Sequence, residues 1–301
     1  MRVSNNNMTY SFLSSLNKSQ QRQAQLNEQL SDGKAIHRPS DDPIRVIRSM
    51  RFQANLEQND QFTQHVKDAQ SWMDTSDSAI QNLDSLVIRA KELVTQAIGP
   101  NPAIGFQAAA EEIDGLINSA VDLGNTKMGS RYVFAGQMDT TQPFTRNSDG
   151  TVTFNGDNNP VSIRIAPGAV TPDNDAINTT ASSVFGSEME LFNQLNDIKK
   201  QLATGNPDLQ DLSNNGLAKL EKIENRVIAA HTELGARMSN YEMMQNILEN
   251  NANVITADLA GAEDLDVPRA IIDFKTAESI YRTALSVGSK IMPTSLVDFL
   301  R

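Results

Sequence analysis

A line of apolar and small residues runs through the first third of the chain at alternating spacings of three and four positions. This spacing predicts a helix that presents one continuous face to a partner helix, as in a coiled coil. An unbroken helix over residues 44–98 extends about 80 Å at ~1.5 Å per residue, so another part of the chain must cover its seam. The members of the seam are Phe62, His65, Ala69, Trp72, Ser76, Ala79, Leu83, Leu86, Ala90, Leu93 and Ala97.

Two further helical segments flank a region of different composition. The sequence "GPNPAIG" at 99–105 ends the long helix, and a third helix is expected over 106–128. From Gly129 to about Phe185 glycine, proline, asparagine and threonine become frequent, which is typical of loops and short strands. Helical spacing resumes near Glu188, pauses at "TGNPD" and continues over about 209–260. Short connections between these helices favour antiparallel neighbours.

Two strand patterns lie inside the loop-rich region. The stretch "FTRNSDGTVTF" predicts two short strands joined by a turn at Asp149-Gly150. The stretch "VSIRIA" at 161–166 alternates apolar and polar residues, which predicts a half-buried strand. We therefore expect a small, inserted, β-rich domain.

Two proline-and-acid segments separate the chain ends from the central helices. The first, "HRPSDDP" at 37–43, follows a glutamine-rich helix that is marginal by itself in water. Asp42 is expected to cap the next helix and Pro43 to fill its first position, where a missing N–H costs nothing. The second, "GAEDLDVPRA" at 261–270, precedes another stripe with three-four spacing. That stripe comprises Val267, Ala270, Phe274, Ala277, Tyr281, Ala284, Gly288 and Ile291. Neither end buries its apolar face alone, so we expect the ends to pair with each other and with neighbouring subunits.

The composition excludes several classes of protein. With 301 residues, 39% hydrophobic and only 5% aromatic, the chain has little bulky material for a thick globular core, and an elongated shape is expected. A net charge of -11 without a basic run argues against nucleic acid as a partner. The absence of cysteine removes disulfides and thiolate metal sites. The start "MRVSNNNMTYSFLSSLNKSQ" has no apolar core, so neither a cleaved signal peptide nor membrane insertion is expected.

No pattern in the sequence indicates catalytic or metal chemistry. The three histidines, His37, His65 and His231, belong to no spaced metal-binding motif, and His65 is better explained as packing at the edge of the seam. A calcium loop, a nucleophile elbow, a phosphate-binding glycine loop and a dinucleotide fingerprint are all missing. We therefore expect no enzyme activity, no cofactor and no metal site.

Five motifs in order give the chain a family resemblance. They are "MRVSNNNM", "LSDGKAIHRPSDDP", "NTKMGSRYVFAGQ", "ELGARMSNYE" and "SIYRTALSVGSKIMPTSLVDFL". Over its whole length the chain resembles the bacterial flagellin superfamily, and most closely its hook-associated proteins of type 3. Filament flagellins usually carry a Ser-Ala-Lys-Asp-Asp-Ala type of sequence at the position of Arg38-Pro39-Ser40-Asp41-Asp42-Pro43. This difference favours the hook-associated branch.

The resemblance implies a mainly α fold, an elongated flagellin-like antiparallel helical rod or coiled coil with a small inserted β-rich domain. Residues 1–38 and 266–301 are then terminal assembly helices, disordered in the free monomer. Residues 39–138 and 187–265 form the central helical rod, and residues 139–186 form the inserted surface domain. The residues expected to act in the hinge and in assembly are Arg38, Pro39, Ser40, Asp41, Asp42, Pro43, Phe274, Tyr281, Leu285 and Ile291.

The resemblance also implies a role and partners. The role is that of a structural subunit at the junction of the flagellar hook and filament, exported by the flagellar type III apparatus and therefore extracellular. The implied partners are further copies in a helical tubular lattice, the other hook-associated junction protein, flagellin and an export chaperone. Two alternatives stay open: a filament flagellin with an atypical loop, and a cytoplasmic helical-bundle scaffold. A scaffold of that kind has no need of an inserted β domain or of two matched proline-and-acid segments, called breakers below, so these features favour the flagellar interpretation.

Overall fold

A computed structural model describes residues 2–99, 105–166 and 176–291 of the chain. The side chains of residues 2–6, 8, 9 and 289–291 lie outside that description. The backbone forms two compact units, one of Asn59–Asn250 and one of Met1–Gln58 with Asn251–Arg301. The second is called the terminal unit below.

Long helices dominate the described residues. The helices are α1 (Arg2–Asp32), α2 (Pro43–Ile98), α3 (Phe106–Gly124), α4 (Ala181–Phe185), α5 (Glu190–Ala203), α6 (Leu209–Asp211), a π-helical turn (Leu212–Gly216), α7 (Leu217–Glu263) and α8 (Val267–Ile291). The strands are β1 (Lys127–Met128), β2 (Arg131–Tyr132), β3 (Phe144–Arg146) and β4 (Val152–Phe154), which form two antiparallel two-stranded ribbons. The expected mainly α fold with a small β-rich region is confirmed.

The predicted seam of α2 is buried in the unit of residues 59–250. All its members are buried except His65, which is half-buried and whose Nδ1 lies 2.8 Å from the carbonyl oxygen of Arg164. A second line was missed by the sequence analysis, although its members recur every seven residues and are at most 1% exposed. These are Val66, Met73, Ile80, Val87 and Val94. Because one partner helix covers only one seam, the second line shows that α2 is enclosed over a wider face.

Polar contacts show that α2 and α7 run antiparallel in this unit. The side chain of Asn59 donates to the carbonyl oxygen of Leu248 at 3.1 Å. A carboxylate oxygen of Asp77 lies 2.8 Å from Nε2 of His231. Further along α2, Lys91 forms an ion pair with Glu224. As the residue number rises on α2, the number of its partner on α7 falls, so the expected antiparallel arrangement is confirmed.

Helix α3 ends at Gly124, four residues before the predicted end. A Cβ atom at Gly124 would lie 2.6 Å from Cδ2 of Phe144, so only glycine allows this ring to approach the helix. The side-chain amide of Asn125 then donates to the carbonyl oxygen of Phe144 at 2.9 Å and accepts from its N–H at 3.0 Å. These two hydrogen bonds connect the residue after α3 to the backbone of Phe144, which is the first residue of β3.

The predicted hairpin forms, but the second predicted strand does not. Strands β3 and β4 pair around Gly150, whose φ of +87° is accessible to glycine without strain. In the stretch 161–166 the described residues form only one isolated bridge, between Ser162 and Ala176. At the start of this stretch the Val161 N–H donates to the side-chain oxygen of Asn178 at 2.8 Å, while the Val161 carbonyl oxygen accepts from the Ile177 N–H at 2.8 Å.

An aromatic cluster closes the core beneath the hairpin. The ring of Phe144 is fully buried, with centroid distances of 4.6 Å to Phe185, 5.3 Å to Phe154 and 5.5 Å to Phe192. Phe185 belongs to the short helix α4, which lies in the region predicted to be strand and loop. Rings at such distances gain dispersion and edge-to-face attraction beyond the transfer of their area from water.

A charged cluster fixes the hairpin to α3 and α5. Asp114 on α3 forms an ion pair with Arg146 on β3 and another with Lys199 on α5, at 2.6 Å. The hydrogen bonds from Arg146 and then from Lys199 lower the pKa of Asp114 to about 2. The pKa of Asp114 in the folded protein lies below the ordinary value of 3.8, so the ionised carboxylate adds to the free energy of unfolding. This contribution is complete above pH 3.8 and is lost as the pH falls toward 2.

An Asp114→Asn variant is therefore expected to lose about 1 kcal/mol of unfolding free energy at neutral pH, after allowance for solvent screening. Unfolding in urea, followed by the fluorescence of the single tryptophan, Trp72, measures this difference. The difference from the unmodified chain should shrink as the pH is lowered from 4 toward 2. The exposed Asp122 on the same helix supplies a control, Asp122→Asn, for which we expect a change below about 0.5 kcal/mol. A pH-independent loss for Asp114→Asn would contradict the assignment.

Candidate functional site: the paired breakers and terminal helices

The first breaker forms a tight turn followed by a capped helix start. The N–H of Asp41 donates to the carbonyl oxygen of Arg38 at 2.9 Å, and the Arg38 N–H donates to the Asp41 carboxylate at 3.1 Å. Pro39 and Ser40 occupy the two central positions of this turn, where the fixed φ of proline suits the first. Asp42 then accepts from the N–H groups of residues 44 and 45, both at 3.1 Å. The predicted cap and the predicted first helical position of Pro43 are confirmed.

The residues between α1 and the first breaker pair with the start of the second breaker, which the sequence analysis did not predict. Helix α1 stops at Gly33, which has a φ of +75° and follows Asp32. The next residue, Lys34, forms an antiparallel bridge with Asp264. On either side of it, Ala35 N–H donates to the Glu263 carbonyl at 2.7 Å and Leu265 N–H donates to the Gly33 carbonyl at 2.9 Å. The residues that follow α1 are therefore joined by backbone hydrogen bonds to the residues that end α7.

Glu263 is the polar centre of this junction. Its carboxylate accepts hydrogen bonds from Ser49 and, at 2.6 Å, from Gln53 on α2, and it forms an ion pair with Lys34 at 3.0 Å. The side chain of Glu263 is 13% exposed. The hydrogen bond from Ser49 is the largest cause that lowers the Glu263 pKa below its ordinary 4.5, and Lys34 and Gln53 act in the same direction. One carboxylate thus joins the start of α2, the residues that follow α1 and the end of α7.

Replacing Glu263 with alanine is expected to loosen the junction by about 1–3 kcal/mol, because buried Ser49 and the Lys34 ammonium lose their acceptor. Amide hydrogen exchange at Ala35 and Leu265 measures this opening, and both amides should exchange faster. The pKa of Glu263 is lowered on folding, so its contribution is present above 4.5 and is lost as the pH falls through the lowered value. The difference between variant and unmodified chain should therefore diminish at acidic pH.

A Glu57→Ala variant supplies the control, because Glu57 is an exposed carboxylate of the same unit. Its Ala35 and Leu265 amides should exchange at the unmodified rate. Unchanged exchange in Glu263→Ala would show that the backbone bridge holds without the carboxylate.

Helices α1 and α8 pack against each other in the terminal unit. The predicted stripe of α8 faces inward from Ala270 to Gly288: these two residues are buried, and Phe274 and Tyr281 are half-buried. The prediction was wrong for its first member, Val267, which is 44% exposed. A Cβ atom at Gly288 would lie 2.3 Å from Cζ of Phe12 on α1, so the ring fills the space that the glycine leaves. The facing residues of α1 also follow three-four spacing: Phe12, Leu16, Ser19, Gln23, Leu26 and Leu30.

One of the residues expected to act in assembly lies off this interface. Leu285 is 46% exposed and does not belong to the inward stripe. Ile291 is the last residue of α8, and its side chain lies outside the described residues. The breaker residues and the inward-facing Phe274 and Tyr281 are thus parts of one terminal unit, while Leu285 is available to a neighbouring molecule.

The described residues contain no arrangement for metal binding or membrane insertion. No three histidine or acidic side chains come together where they could hold a metal ion in that part of the chain. Among the helices that the structure describes, none combines the length and the apolar character that a bilayer span needs. The site consists of backbone pairing, a half-buried carboxylate and packed helices.

Comparison with known proteins finds similarity to flagellar proteins. Residues 3–139 match the family of the bacterial flagellin N-terminal helical region. Flagellar hook-associated protein 3 of Escherichia coli strain K12 is 25% identical over 283 residues, which cover 88% of this chain and 89% of the relative. The protein of the same name from Salmonella typhimurium strain LT2 is 22% identical over 330 residues and matches over the full length of both.

A solved structure supports the fold. A flagellar hook-associated protein from Vibrio parahaemolyticus superimposes with a TM-score of 0.66 at 16% identity, covering 74% of this chain and all of that one. At this identity the likeness concerns the fold alone. The match of residues 3–139 and the two curated relatives confirm the resemblance to hook-associated protein 3.

Proposed function

We propose that the chain is a structural subunit of the bacterial flagellum that forms the junction between hook and filament. The observation that carries the proposal is the full-length match to a hook-associated protein 3, in a chain whose two ends meet in one helical unit. Its partners are further copies in a helical tubular lattice, the other hook-associated junction protein on the hook side and flagellin on the filament side. Its location is extracellular.

The proposed route to this location is the flagellar type III export apparatus, with a chaperone that binds one end of the chain in the cytoplasm. Under this proposal residues 1–38 and 266–301 are disordered before assembly. Ordering them costs conformational entropy, which packing against neighbouring subunits offsets. Helix α1 supports the idea, because it is polar, glutamine-rich and marginal without a partner. Residues 139–186 form the exposed surface domain of the subunit.

Immunogold electron microscopy of sheared flagella tests the proposal, with an antibody raised against residues 139–185. A narrow band of label where the hook meets the filament is the expected result. Label confined to the cytoplasm would overturn the proposal and favour a helical scaffold. A chain lacking residues 267–301 provides a second test, since it should keep a folded unit of residues 59–250 but be absent from the junction.

Filament flagellin is the second candidate, and the match to the flagellin N-terminal family favours it. The same microscopy separates the two functions. Continuous label along the filament would identify a flagellin, whereas a junction protein gives label at one point only.

A further inference from the structure

The first turns of α2 present an exposed apolar and basic face. Ile44, Ile47 and Met50 are 71%, 60% and 63% exposed, which is unusual for side chains of this size. The exposed Arg48 and Arg51 lie among them on the same helix. We call these five residues the α2 outer face.

This face points away from the subunit's own contacts. On the other side of α2, Ser49 and Gln53 donate to Glu263, and Val46 and Phe52 are half-buried. At about 100° per residue, these inward side chains and the α2 outer face occupy opposite sides of the helix. The chain therefore covers one side of this helix and leaves an apolar side in water.

The last turns of α7 carry a second uncovered surface in the same unit. Val254 is 61% exposed, and Ala257, Asp258 and Gly261 are exposed beside it at helical spacing. A Cβ atom at Gly261 would meet no other atom within 4 Å. Ala257 and Gly261 have little or no side chain, so the exposed surface of α7 is low beside Val254 and Asp258. We call these four residues the α7 hollow.

The two surfaces are complementary in charge and in size. Residues 43–56 contain three arginines and no acidic residue, whereas residues 251–266 contain four acidic residues and no basic one. The α2 outer face contributes bulky side chains, and the α7 hollow offers the room for them. Of the charged groups on these two surfaces, neither Arg48, Arg51 nor Asp258 forms an ion pair among the described residues.

We propose that the α2 outer face of one subunit docks into the α7 hollow of a second copy of this chain, with Arg51 or Arg48 paired to Asp258. The proposal rests on the proposed function, of which it names the self-contact. Because the two surfaces differ, the contact is heterologous: every subunit uses one surface toward one neighbour and the other toward the next. Such contacts continue from copy to copy and build rings or helical tubes. The complementary charges orient the two subunits as they approach each other. Burial of the apolar side chains then stabilises the contact.

Cysteine cross-linking in isolated flagella tests the contact, since the chain has no native cysteine to interfere. The variant Met50→Cys/Gly261→Cys places one thiol on each surface, and a short bifunctional maleimide joins thiols that lie close together. A ladder of dimers, trimers and larger species is the expected result. The single variants Met50→Cys and Gly261→Cys should give no ladder, because a heterologous contact does not bring two like positions together.

A matched control uses the same helix at a distance from the hollow. Gly235 on α7 is exposed, and a Cβ atom there also meets nothing within 4 Å. The variant Met50→Cys/Gly235→Cys should stay monomeric. The variant Gly261→Trp should fill the hollow and lower the amount of the protein in sheared flagella by about tenfold or more, whereas Gly235→Trp should leave it within about twofold.

The outcomes separate this inference from the proposed function. Protein at the junction without a ladder in Met50→Cys/Gly261→Cys overturns the self-contact and leaves the proposed function standing. Dimers from a single-cysteine variant, or equal losses from Gly261→Trp and Gly235→Trp, overturn it as well. Absence of the unmodified protein from flagella overturns both.

Discussion

A Gly288→Leu variant is expected to disappear from the hook-filament junction while the protein is still exported into the medium. Gly288 lies directly against the ring of Phe12, and even a single Cβ atom would come within 2.3 Å of Cζ and 2.5 Å of Cε1. A leucine adds three further carbons to a site that has no room for the first. Overpacking of this kind lowers the stability of the packing between α1 and α8 by about 1–3 kcal/mol. This loss is large because these helices have little stability without a partner.

The readout is the amount of variant in sheared flagella relative to the amount in the medium. A compensating change at the other side of the contact makes the test specific: Gly288→Leu/Phe12→Ala should recover part of the incorporation, because the smaller side chain gives up the space. Gly115→Leu is the matched control, since a Cβ atom at Gly115 meets nothing within 4 Å. Normal junctions built from Gly288→Leu would show that α1 and α8 do not pack in this register in the assembled flagellum.

The sequence analysis predicted those parts of the fold that depend on residues close together in the chain, such as helix periodicity and helix caps. The seam of α2 repeats over 36 residues from Phe62 to Ala97 and is buried as expected. The start of α2 was predicted to the residue, because Asp42 and Pro43 act through the local backbone alone. The stripe of α8 from Ala270 to Gly288 also faces inward.

The parts that were not predicted depend on residues far apart in the chain. Nothing near Gly124 indicates that Phe144 will lie against it and stop the helix. The pattern at 161–166 predicted the alternation of burial from Val161 to Ile165, but it did not predict that the Val161 N–H would donate to the side chain of Asn178. Tertiary contacts of this kind override local propensity, and no spacing rule contains them.

The candidate site shows the same division. The sequence contains both breakers, but it does not show the pairing of residues 33–35 with residues 263–265, because Lys34 and Asp264 are separated by most of the chain. Glu263 could not be distinguished from the neighbouring acidic residues until its three partners were known. The inward role of Phe274 followed from periodicity, whereas the exposure of Leu285 shows that an apolar residue on an assembly helix need not face its own subunit.

The largest loss of stability is expected from truncation of the aromatic cluster at Phe144. Its side chain is fully buried and contacts the rings of Phe154, Phe185 and Phe192. Removing a buried phenylalanine ring costs about 3–5 kcal/mol, because the transfer free energy is lost and a cavity remains. The ring of Phe144 lies directly against Gly124, which has no side chain that could fill the space left by the ring. The cavity is therefore expected to stay open in the variant.

The fluorescence of Trp72 reports on this unit, because the indole is 1% exposed and lies in the same core cluster as Phe144. For Phe144→Ala the midpoint of urea unfolding should move to a much lower concentration with little change in slope. Phe274→Ala supplies the control: it removes the same side chain from the terminal unit and should leave the Trp72 transition in place. An unmoved midpoint in Phe144→Ala would mean that the hairpin does not share the cooperative unfolding of α2. A loss of the expected size would show that the β-rich region and the helical core of residues 59–250 fold as one unit.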